Sequence, residues 1–433
     1  MIKKIFSPVI LITSILLIIY VFYKSQIYWE GKKNDYYIIY YVISIFLLVF
    51  SIFSFFISYK VKEYLFIILS TVIFSLYIFE FYTFNQTNKE KNLDTKIKLY
   101  KKQTGNEYDT RSVKEVYDHL KKTKLNVAVK VPPTEYLNIK KTNIYPLSGV
   151  SNSKTVYGNE NGYYMIYLSD RFGFNNPDTE WDSNEVEYLI VGDSFAHGAA
   201  VNRPDEIASK LRIFSSKSVI NIGYSANGPL IEYAALKEFM PKNVNKVVWL
   251  FTDNDVEGFN YEYKNEILRK YFNDKNFSQN LKKKQSQVDK IAKQMIYDVR
   301  AEKLKFNFYK HLKLYNTRQL LIGKKNKKKN SVQKELIKVL EMARDYSYKQ
   351  GAEFYLVYLP LDRYFNEDHN NIIYREIISI SKNLKIPLID IHAEVFKKEK
   401  TPLKLFPFGF IGHYNVEGYR KTAKAIFDET SDK

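Results

Sequence analysis

The chain is 433 residues long, and 45% of its residues are hydrophobic and 16% aromatic. This composition is too apolar for a disordered protein, and the length allows several structural units. The sequence contains no cysteine, which excludes disulfides, thiolate metal sites and a cysteine nucleophile. The formal net charge is +19, so the position of the basic residues along the chain is informative.

Three apolar stretches open the sequence, at residues 5–23, 36–59 and 64–84. Each is long enough to cross about 30 Å of hydrocarbon as a helix. Lys3 and Lys4 before the first stretch also suit a cleaved signal peptide, but two further spans follow and no clear small-residue cleavage site is present. The sequence therefore predicts three transmembrane helices within residues 1–84 and a multi-pass protein of the inner, or cytoplasmic, membrane.

The orientation of these helices follows less directly from charge. Lys3 and Lys4 favour a cytoplasmic N-terminus, whereas Lys24, Lys32 and Lys33 would then lie outside, so the positive-inside count is almost balanced. Three crossings from a cytoplasmic N-terminus predict that the rest of the chain is extracytoplasmic.

The excess positive charge lies in one segment of the soluble part. Residues 261–330 contain 20 Lys and Arg and 6 Asp and Glu. We expect residues 85–183 to form a linker and approach segment and residues 184–433 to form one domain, with a basic helical insertion at about residues 257–330. The insertion is interpreted as solvated amphipathic helix, with contact to anionic membrane lipids as the alternative. Nucleic acid is not an expected partner, because no recognition fold accompanies the charge.

Short apolar runs alternate with helical patterns in the C-terminal half. The predicted strands are residues 188–191, 219–222, 247–251, 354–359 and 387–391. Helical patterns between them, such as residues 229–240 with proline at the start, predict βαβ units and hence a parallel sheet with helices on both faces. Ligands of such sheets bind beyond the carboxyl ends of the strands.

Chemistry-bearing residues follow several of these strands. Ser194 lies in a Gly-Asp-Ser turn after the first strand, and Gly223 and Ala226 lie in a turn that can aim backbone N–H groups into a site. Asn254 follows the third strand, and His413 precedes the last helix. Taken singly, each has an ordinary structural explanation as a turn residue or a solvated histidine.

In this order, the motifs VGDSFAHG, NIGYSANGP, FTDNDVEG and GHYNVEGY resemble those of the SGNH/GDSL hydrolase superfamily, over about residues 187–428. The resemblance implies an α/β fold, a flavodoxin-like three-layer sandwich. It makes Ser194 the nucleophile and His413 its general base. Asn254 and the backbone N–H groups of Ser194 and Ala226 would form the oxyanion hole, with Gly223 as an alternative donor. It implies no cofactor and no metal.

Two positions depart from the family pattern. Ala226 stands where the family has glycine, and the Asp usually found two or three residues before the histidine is missing from residues 410–412. Asp390, at the end of the fifth strand, is one candidate to orient His413. A Ser–His dyad held by a backbone carbonyl and a protein that has lost hydrolysis are the alternatives. His392 is a second candidate base.

The resemblance to membrane-tethered members implies an esterase or O-acyltransferase that acts on a cell-surface or exported polysaccharide through an acyl-serine. The implied partners are a carbohydrate substrate, membrane lipids and a membrane-bound acyl donor protein. The missing acid supports a different interpretation, a non-catalytic glycan-binding or assembly subunit with a degenerate site. A lipid-surface adaptor is the third.

Overall fold

The computed structural model describes residues 2–31, 34–88, 93–123, 125–138, 143–322, 332–365, 372–410 and 412–431. The chain forms two compact units. The membrane unit comprises Met1–Glu90 and Phe306–Lys325, and the α/β unit comprises Lys91–Lys305 and Asn326–Lys433. The chain therefore passes between the two units three times.

The membrane unit begins with three long helices: α1 (Ile2–Phe22), which continues as a π-helical turn at Tyr23–Tyr28, α2 (Asn34–Ser54) and α3 (Tyr59–Asn88). Each contains a stretch that is long and apolar enough to cross a membrane. The Ser7 hydroxyl donates to the Ser54 carbonyl oxygen at 3.1 Å and joins the first two helices. The three predicted apolar spans are confirmed, and the direction in which they cross stays a prediction.

The α/β unit opens with α4 (Leu93–Thr104), α5 (Val113–Lys121) and a three-stranded sheet. Its strands are β1 (Val127–Val129), β2 (Lys154–Asn159) and β3 (Tyr164–Leu168). Strand β2 is parallel to β1 and antiparallel to β3. Residues 85–183 are therefore more than the linker and approach segment predicted from the sequence, because they contain a sheet with its own buried side chains.

The main sheet has five parallel strands in the order β5-β4-β6-β7-β8. They are β4 (Val186–Val191), β5 (Val219–Asn221), β6 (Val244–Phe251), β7 (Glu353–Tyr358) and β8 (Leu388–Asp390). All five predicted strands are confirmed. The chain order reverses between β4 and β6, and ligands of open α/β sheets bind at such a switch point.

Helices cover both faces of the main sheet. Successive residues of a strand point to opposite faces, so each strand contributes side chains to both layers of the core. Leu189 and Val191 pack in one core cluster with residues of α8 (Pro229–Phe239), whereas Tyr188 and Ile190 pack in another with residues of α7 (Ile207–Ser215). The three-layer α/β sandwich is therefore confirmed. Its helices are α6 (Ser194–His197), α7 (Ile207–Ser215), α8 (Pro229–Phe239), α13 (Lys334–Lys349), α14 (Ile372–Asn383), α15 (Ile391–Glu394) and α16 (Val416–Thr430).

The basic insertion is divided between the two units. Its helices are α9 (Asp255–Glu262), α10 (Glu266–Asn273), α11 (Gln285–Leu312) and α12 (Tyr315–Ile322). Leu268, Tyr271 and Val288 are fully buried in the core of the α/β unit, so this part is not the solvated excursion expected from its charge. Helix α12 lies in the membrane unit. Amphipathic helices bury one face, and a high net charge does not prevent this.

Candidate active site

The turn after β4 presents Ser194. Gly192 has a φ of +150°, and a Cβ atom there would lie 3.0 Å from the Leu250 carbonyl oxygen, so the turn needs a residue without a side chain. Asp193 accepts a hydrogen bond from the Phe195 N–H at 2.9 Å and thereby caps the short helix that Ser194 begins. Ser194 is 8% exposed, which leaves a small opening at the carboxyl end of the sheet.

His413 lies in the loop before α16, and its Nε2 is 2.7 Å from the Ser194 Oγ. Asn415 fixes the end of this loop, because its N–H donates to the Leu405 carbonyl oxygen and its side chain accepts from the Gly418 N–H. The imidazole packs against the Phe195 ring with 4.8 Å between centroids. The distance to Ser194 is within the reach of a general base.

The other side of the imidazole is occupied by Glu160, in the turn between β2 and β3. Its carboxylate oxygens lie 2.9 Å and 3.0 Å from the His413 Nδ1, and the His413 backbone N–H donates to the same carboxylate at 3.1 Å. A carboxylate can only accept here, so we assign the proton of the neutral ring to Nδ1. Nε2 is then the unprotonated nitrogen that faces the serine hydroxyl.

Glu160 remains ionised in this position. Burial by itself would raise the pKa of Glu160, but the charge and hydrogen bonds of His413, with a smaller effect of Lys130, lower it to about 2. A permanent negative charge beside Nδ1 stabilises the imidazolium that forms when His413 takes a proton.

Asp390 is engaged elsewhere, and the prediction that it orients His413 is corrected by this geometry. Its carboxylate accepts a hydrogen bond from the Tyr374 hydroxyl at 2.6 Å and another from the Ala393 N–H at 3.1 Å. Asp390 therefore caps the chain reversal after β8. His392 lies in an aromatic cluster, with its ring centroid 4.1 Å from that of Tyr364, and burial lowers its pKa. Residues 410–412, just before His413, contain no acidic residue, and Ile411 lies outside the described residues.

The predicted oxyanion donors differ in availability. The Asn254 side-chain N–H donates to the Asp193 carboxylate at 3.2 Å, which places the amide beside the turn that contains Ser194 and leaves its second hydrogen for a ligand. Among the described residues, the backbone N–H groups of Ser194 and Ala226 have no hydrogen-bond acceptor. The Gly223 N–H donates to the Asn221 side chain at 2.8 Å, so Gly223 is corrected from donor to structural turn residue.

Ala226 adopts the left-handed conformation with a φ of +60°, and side chains below it hold that shape. The Ser225 N–H donates to the His197 Nδ1 at 3.1 Å, and the Ser225 hydroxyl accepts hydrogen bonds from Tyr157 at 3.0 Å and Lys130 at 3.3 Å. Burial, with the positive charges of Lys130 and His413 nearby, lowers the pKa of His197 well below its usual value. A neutral His197 can accept from Ser225 while its Nε2, 2.9 Å from the Tyr167 hydroxyl, carries the proton.

Glu262 supports the next residues of the same turn. This carboxyl group accepts hydrogen bonds from the Gly228 N–H at 2.7 Å and the Leu230 N–H at 2.9 Å, at the start of α8. Burial raises the pKa of Glu262 to about 7, against the lowering effect of these two donors. Among the residues that the structure describes, no group of three or more His, Cys, Asp or Glu could hold a metal ion.

Glu160 and His197 are the two site residues that sequence reasoning missed. Asn161-Gly162 is a hairpin signal, and it marks the turn that contains Glu160. A local signal of this kind identifies the turn but not the loop that it will face. His197 stands in the Ser194 motif, where its burial is not visible from the sequence.

No family model and no curated protein sequence matches the chain. Similar solved structures include a member of the lipolytic protein G-D-S-L family from Veillonella parvula DSM 2008, at 12% identity and a TM-score of 0.32, covering 57% of this chain and 98% of the other. The acetyl xylan esterase AlAXEase is 13% identical with a TM-score of 0.33, and the match covers 57% of this chain and 100% of the esterase chain. The chemistry of the site is therefore inferred from the residues described above.

Proposed function

We propose that the chain is a membrane-anchored serine esterase or O-acyltransferase of the SGNH type, acting on ester-linked acyl groups of a cell-surface or exported polysaccharide. The observation that carries the proposal is the hydrogen-bonded series from Ser194 through His413 to Glu160, with 2.7 Å between the serine Oγ and Nε2. Nucleophile, base and orienting acid in this order support acyl transfer through a covalent intermediate.

The first half of the reaction forms the acyl-enzyme. His413 Nε2 takes the hydroxyl proton as the Ser194 Oγ bonds to the ester carbonyl carbon, and Glu160 stabilises the imidazolium. The N–H groups of Ser194 and Ala226 and the Asn254 amide donate to the carbonyl oxygen as it becomes negative, and one such donor is typically worth about 3 to 4 kcal/mol. When the alkoxide leaves, it takes the proton from His413, and the acyl group stays on Ser194.

The second half regenerates the serine. His413 removes a proton from the acceptor, the acceptor oxygen attacks the acyl carbon, and the proton returns to the Ser194 Oγ as that bond breaks. Water as acceptor makes the protein an esterase, and a sugar hydroxyl makes it an O-acyltransferase. A polysaccharide outside the cytoplasm suits a domain tethered by three apolar helices, and a membrane-bound acyl donor protein is part of the proposal for transfer.

The alternative of a non-catalytic glycan-binding subunit depended mainly on the missing acid and on alanine at position 226. Glu160 supplies a carboxylate to His413, and the Ala226 backbone adopts a left-handed conformation of the kind that favours glycine. Both reasons for the alternative are therefore weakened.

Full-length protein in detergent tests the proposal with a fluorophosphonate label and p-nitrophenyl acetate. We expect one labelled serine, and we expect Ser194→Ala to lose the label and at least about 1,000-fold in turnover. Ser183→Ala, at an exposed serine before β4, is the matched control and keeps both. Turnover by Ser194→Ala above a tenth of wild type would exclude Ser194 as nucleophile. Glycan acceptors added to the same assay separate transfer from hydrolysis.

The orientation is tested separately. Alkaline phosphatase fused after Thr104, at the end of α4, should be active if the α/β unit is extracytoplasmic. An inactive phosphatase together with an active cytoplasmic reporter at the same position would exclude an exported polysaccharide as substrate.

A further inference from the structure

A buried carboxylate lies near the end of the third apolar helix. Glu80 is only 2% exposed, and it stands within Tyr59–Phe84, the stretch of α3 that is apolar enough to cross a membrane. Ionisable groups at such positions are costly unless they are paired or hydrogen-bonded, and they mark a function or a structural contact. The esterase site makes no use of this carboxylate.

The partners of Glu80 come from the distal part of the basic insertion. Its two oxygens accept from the Thr317 N–H at 2.8 Å, the Thr317 hydroxyl at 2.9 Å, the Asn316 N–H at 3.1 Å and the Asn316 amide at 3.0 Å. His311 Nδ1 lies 3.2 Å from the same carboxylate. Glu80 therefore caps the start of α12 and fixes it to α3.

Two further contacts hold this segment to the same end of the apolar helices. The Tyr77 hydroxyl of α3 donates to the Leu312 carbonyl oxygen at 2.9 Å, and Arg318 donates to the Tyr40 hydroxyl near the start of α2 at 3.2 Å. Three successive spans place the start of α2 and the end of α3 at the same membrane face. The segment therefore lies at that face, where the headgroups are.

The end of α11 and helix α12 expose four large apolar side chains. Phe308, Tyr309, Leu312 and Leu320 are each more than half exposed, between 52% and 66%. The first three lie on one side of the end of α11, because residues three and four apart share a helix face. Exposed aromatic and aliphatic side chains of this size, beside helices that span a membrane, are typical of an element that lies in the interface.

The surroundings of this surface are strongly basic. Lys310, Lys313 and Arg318 stand among the apolar residues, and the sequence contains no acidic residue between Glu302 and Glu335. Positive charges interspersed with large exposed apolar side chains suit a membrane surface with anionic lipid headgroups better than a neutral one.

We propose that residues 308–320, the interface segment, form an anionic-lipid-binding element of the membrane that α1–α3 cross. Phe308, Tyr309, Leu312 and Leu320 insert at headgroup depth, and Lys310, Lys313 and Arg318 bind lipid phosphates. Glu80 holds the segment in place. The basic insertion is thus a second membrane attachment of the chain, and this role does not depend on the proposed acyl-transfer reaction.

The absence of cysteine makes a direct test possible, since one introduced cysteine gives one labelled position. Full-length Phe308→Cys and Leu320→Cys carry a fluorophore in vesicles of phosphatidylcholine, with or without phosphatidylglycerol. Quencher lipids hold a doxyl group either near the headgroup or deep in the acyl chain. Phe46→Cys in α2, 69% exposed, is the transmembrane control, and Tyr348→Cys on α13, 48% exposed, is the aqueous control.

We expect the labels at positions 308 and 320 to be quenched more strongly by the shallow doxyl group than by the deep one. Quenching should rise at least about twofold when phosphatidylglycerol is present, because the basic residues attract anionic headgroups. Position 46 should respond to the deep group in both vesicles, and position 348 to neither. If positions 308 and 320 behave like position 348, the proposal is overturned. Cross-linking of position 308 to a second copy without lipid quenching would also overturn it.

The role of Glu80 is tested in the same vesicles. Glu80→Ala should abolish the quenching at position 320 while position 46 is unchanged, which shows that the spans remain inserted. Thr317→Val, which removes the donating hydroxyl, should reduce the quenching, and Thr317→Ser should retain it. Unchanged quenching at position 320 in both Glu80→Ala and Thr317→Val would refute attachment through Glu80.

Discussion

The two sheets of the α/β unit contribute to the site in different ways. The main sheet places Ser194 and Asn254 at the ends of β4 and β6, where adjacent parallel strands bring them to one edge. The small sheet contributes Glu160 from a hairpin turn that is held by other loops. The Asp109 N–H donates to the Gly162 carbonyl oxygen at 2.9 Å, and the Asn159 amide donates to the Asp109 carbonyl oxygen at 2.8 Å.

The positions of Ser194 and Asn254 follow from the parallel sheet itself, whereas the position of Glu160 depends on particular contacts of its hairpin. Any chain that forms the parallel sheet will bring the ends of β4 and β6 together. The approach of Glu160 to His413 depends in addition on the hairpin, and Tyr100 of α4 packs against it. A Cβ atom on Gly162 would lie 2.3 Å from the Tyr100 ring.

Substitution of Glu160 is expected to change turnover the most, and substitution of Asp390 is its control. Glu160→Gln keeps the shape but loses the charge that stabilises the imidazolium, so we expect kcat to fall by about 100- to 10,000-fold. Asp390→Asn should stay within about threefold of wild type, because its carboxylate contacts Tyr374 and Ala393 rather than His413. Both are measured as p-nitrophenyl acetate turnover. A tenfold loss in Asp390→Asn with normal Glu160→Gln would restore Asp390 as the orienting acid.

The support of the hairpin gives the next effect. Tyr100 is 9% exposed and its ring contacts Tyr108 and Phe408, the latter in the loop that leads to His413. Tyr100→Ala should lower kcat by about tenfold with a smaller change in KM, because a misplaced acid weakens transition-state stabilisation more than binding. Tyr100→Phe, which keeps the ring, should restore the rate. Equal losses in the two variants would show that the hydroxyl, not packing, is needed.

The same division explains how far the sequence predicted the molecule. The five strands were visible because periodicity and turn residues are local and the parallel sheet supplies the long-range arrangement. Ser194, Asn254 and His413 were selected as a set because the order of their motifs resembles that of a known family. Glu160 was not visible, because the Asn161-Gly162 signal defines a hairpin without defining its neighbours. The docking of α12 on Glu80 was equally invisible, since a run of basic residues does not reveal a contact with one carboxylate far away in the sequence.

Glu160 and Glu262 make the free energy of unfolding depend on pH in opposite directions. The pKa of Glu160 is lowered to about 2, so its contribution is complete above the pKa of a free glutamate and is lost as the pH falls toward 2. The pKa of Glu262 is raised to about 7, so folding binds a proton and stability decreases from about pH 4.3 up to 7, by about 4 kcal/mol.

Thermal unfolding of the full chain in detergent between pH 2 and 8 measures both contributions. In Glu262→Gln, stability should decrease less between pH 4.3 and 7 than in the wild type, whatever the overall stability of the variant. In Glu160→Gln, stability should increase less steeply with pH below pH 4.3. An unchanged slope above pH 5 in Glu262→Gln would show that this carboxyl group is ionised in the folded protein.

The smallest expected effect concerns the turn that contains Ala226. Ala226 has a φ of +60°, and a residue with a Cβ atom in the left-handed region costs about 1 kcal/mol relative to glycine. Ala226→Gly should therefore stabilise the protein by no more than about 1 kcal/mol, with part of the gain offset by the entropy of the unfolded chain. Turnover should change less than about twofold, because the proposed donor is a backbone N–H that glycine retains. Ala200→Gly, at a φ of +75° outside this turn, is the matched control for strain. If Ala226→Gly is more stable but more than about tenfold slower, the side chain is needed to hold the turn, and an available N–H group is not sufficient.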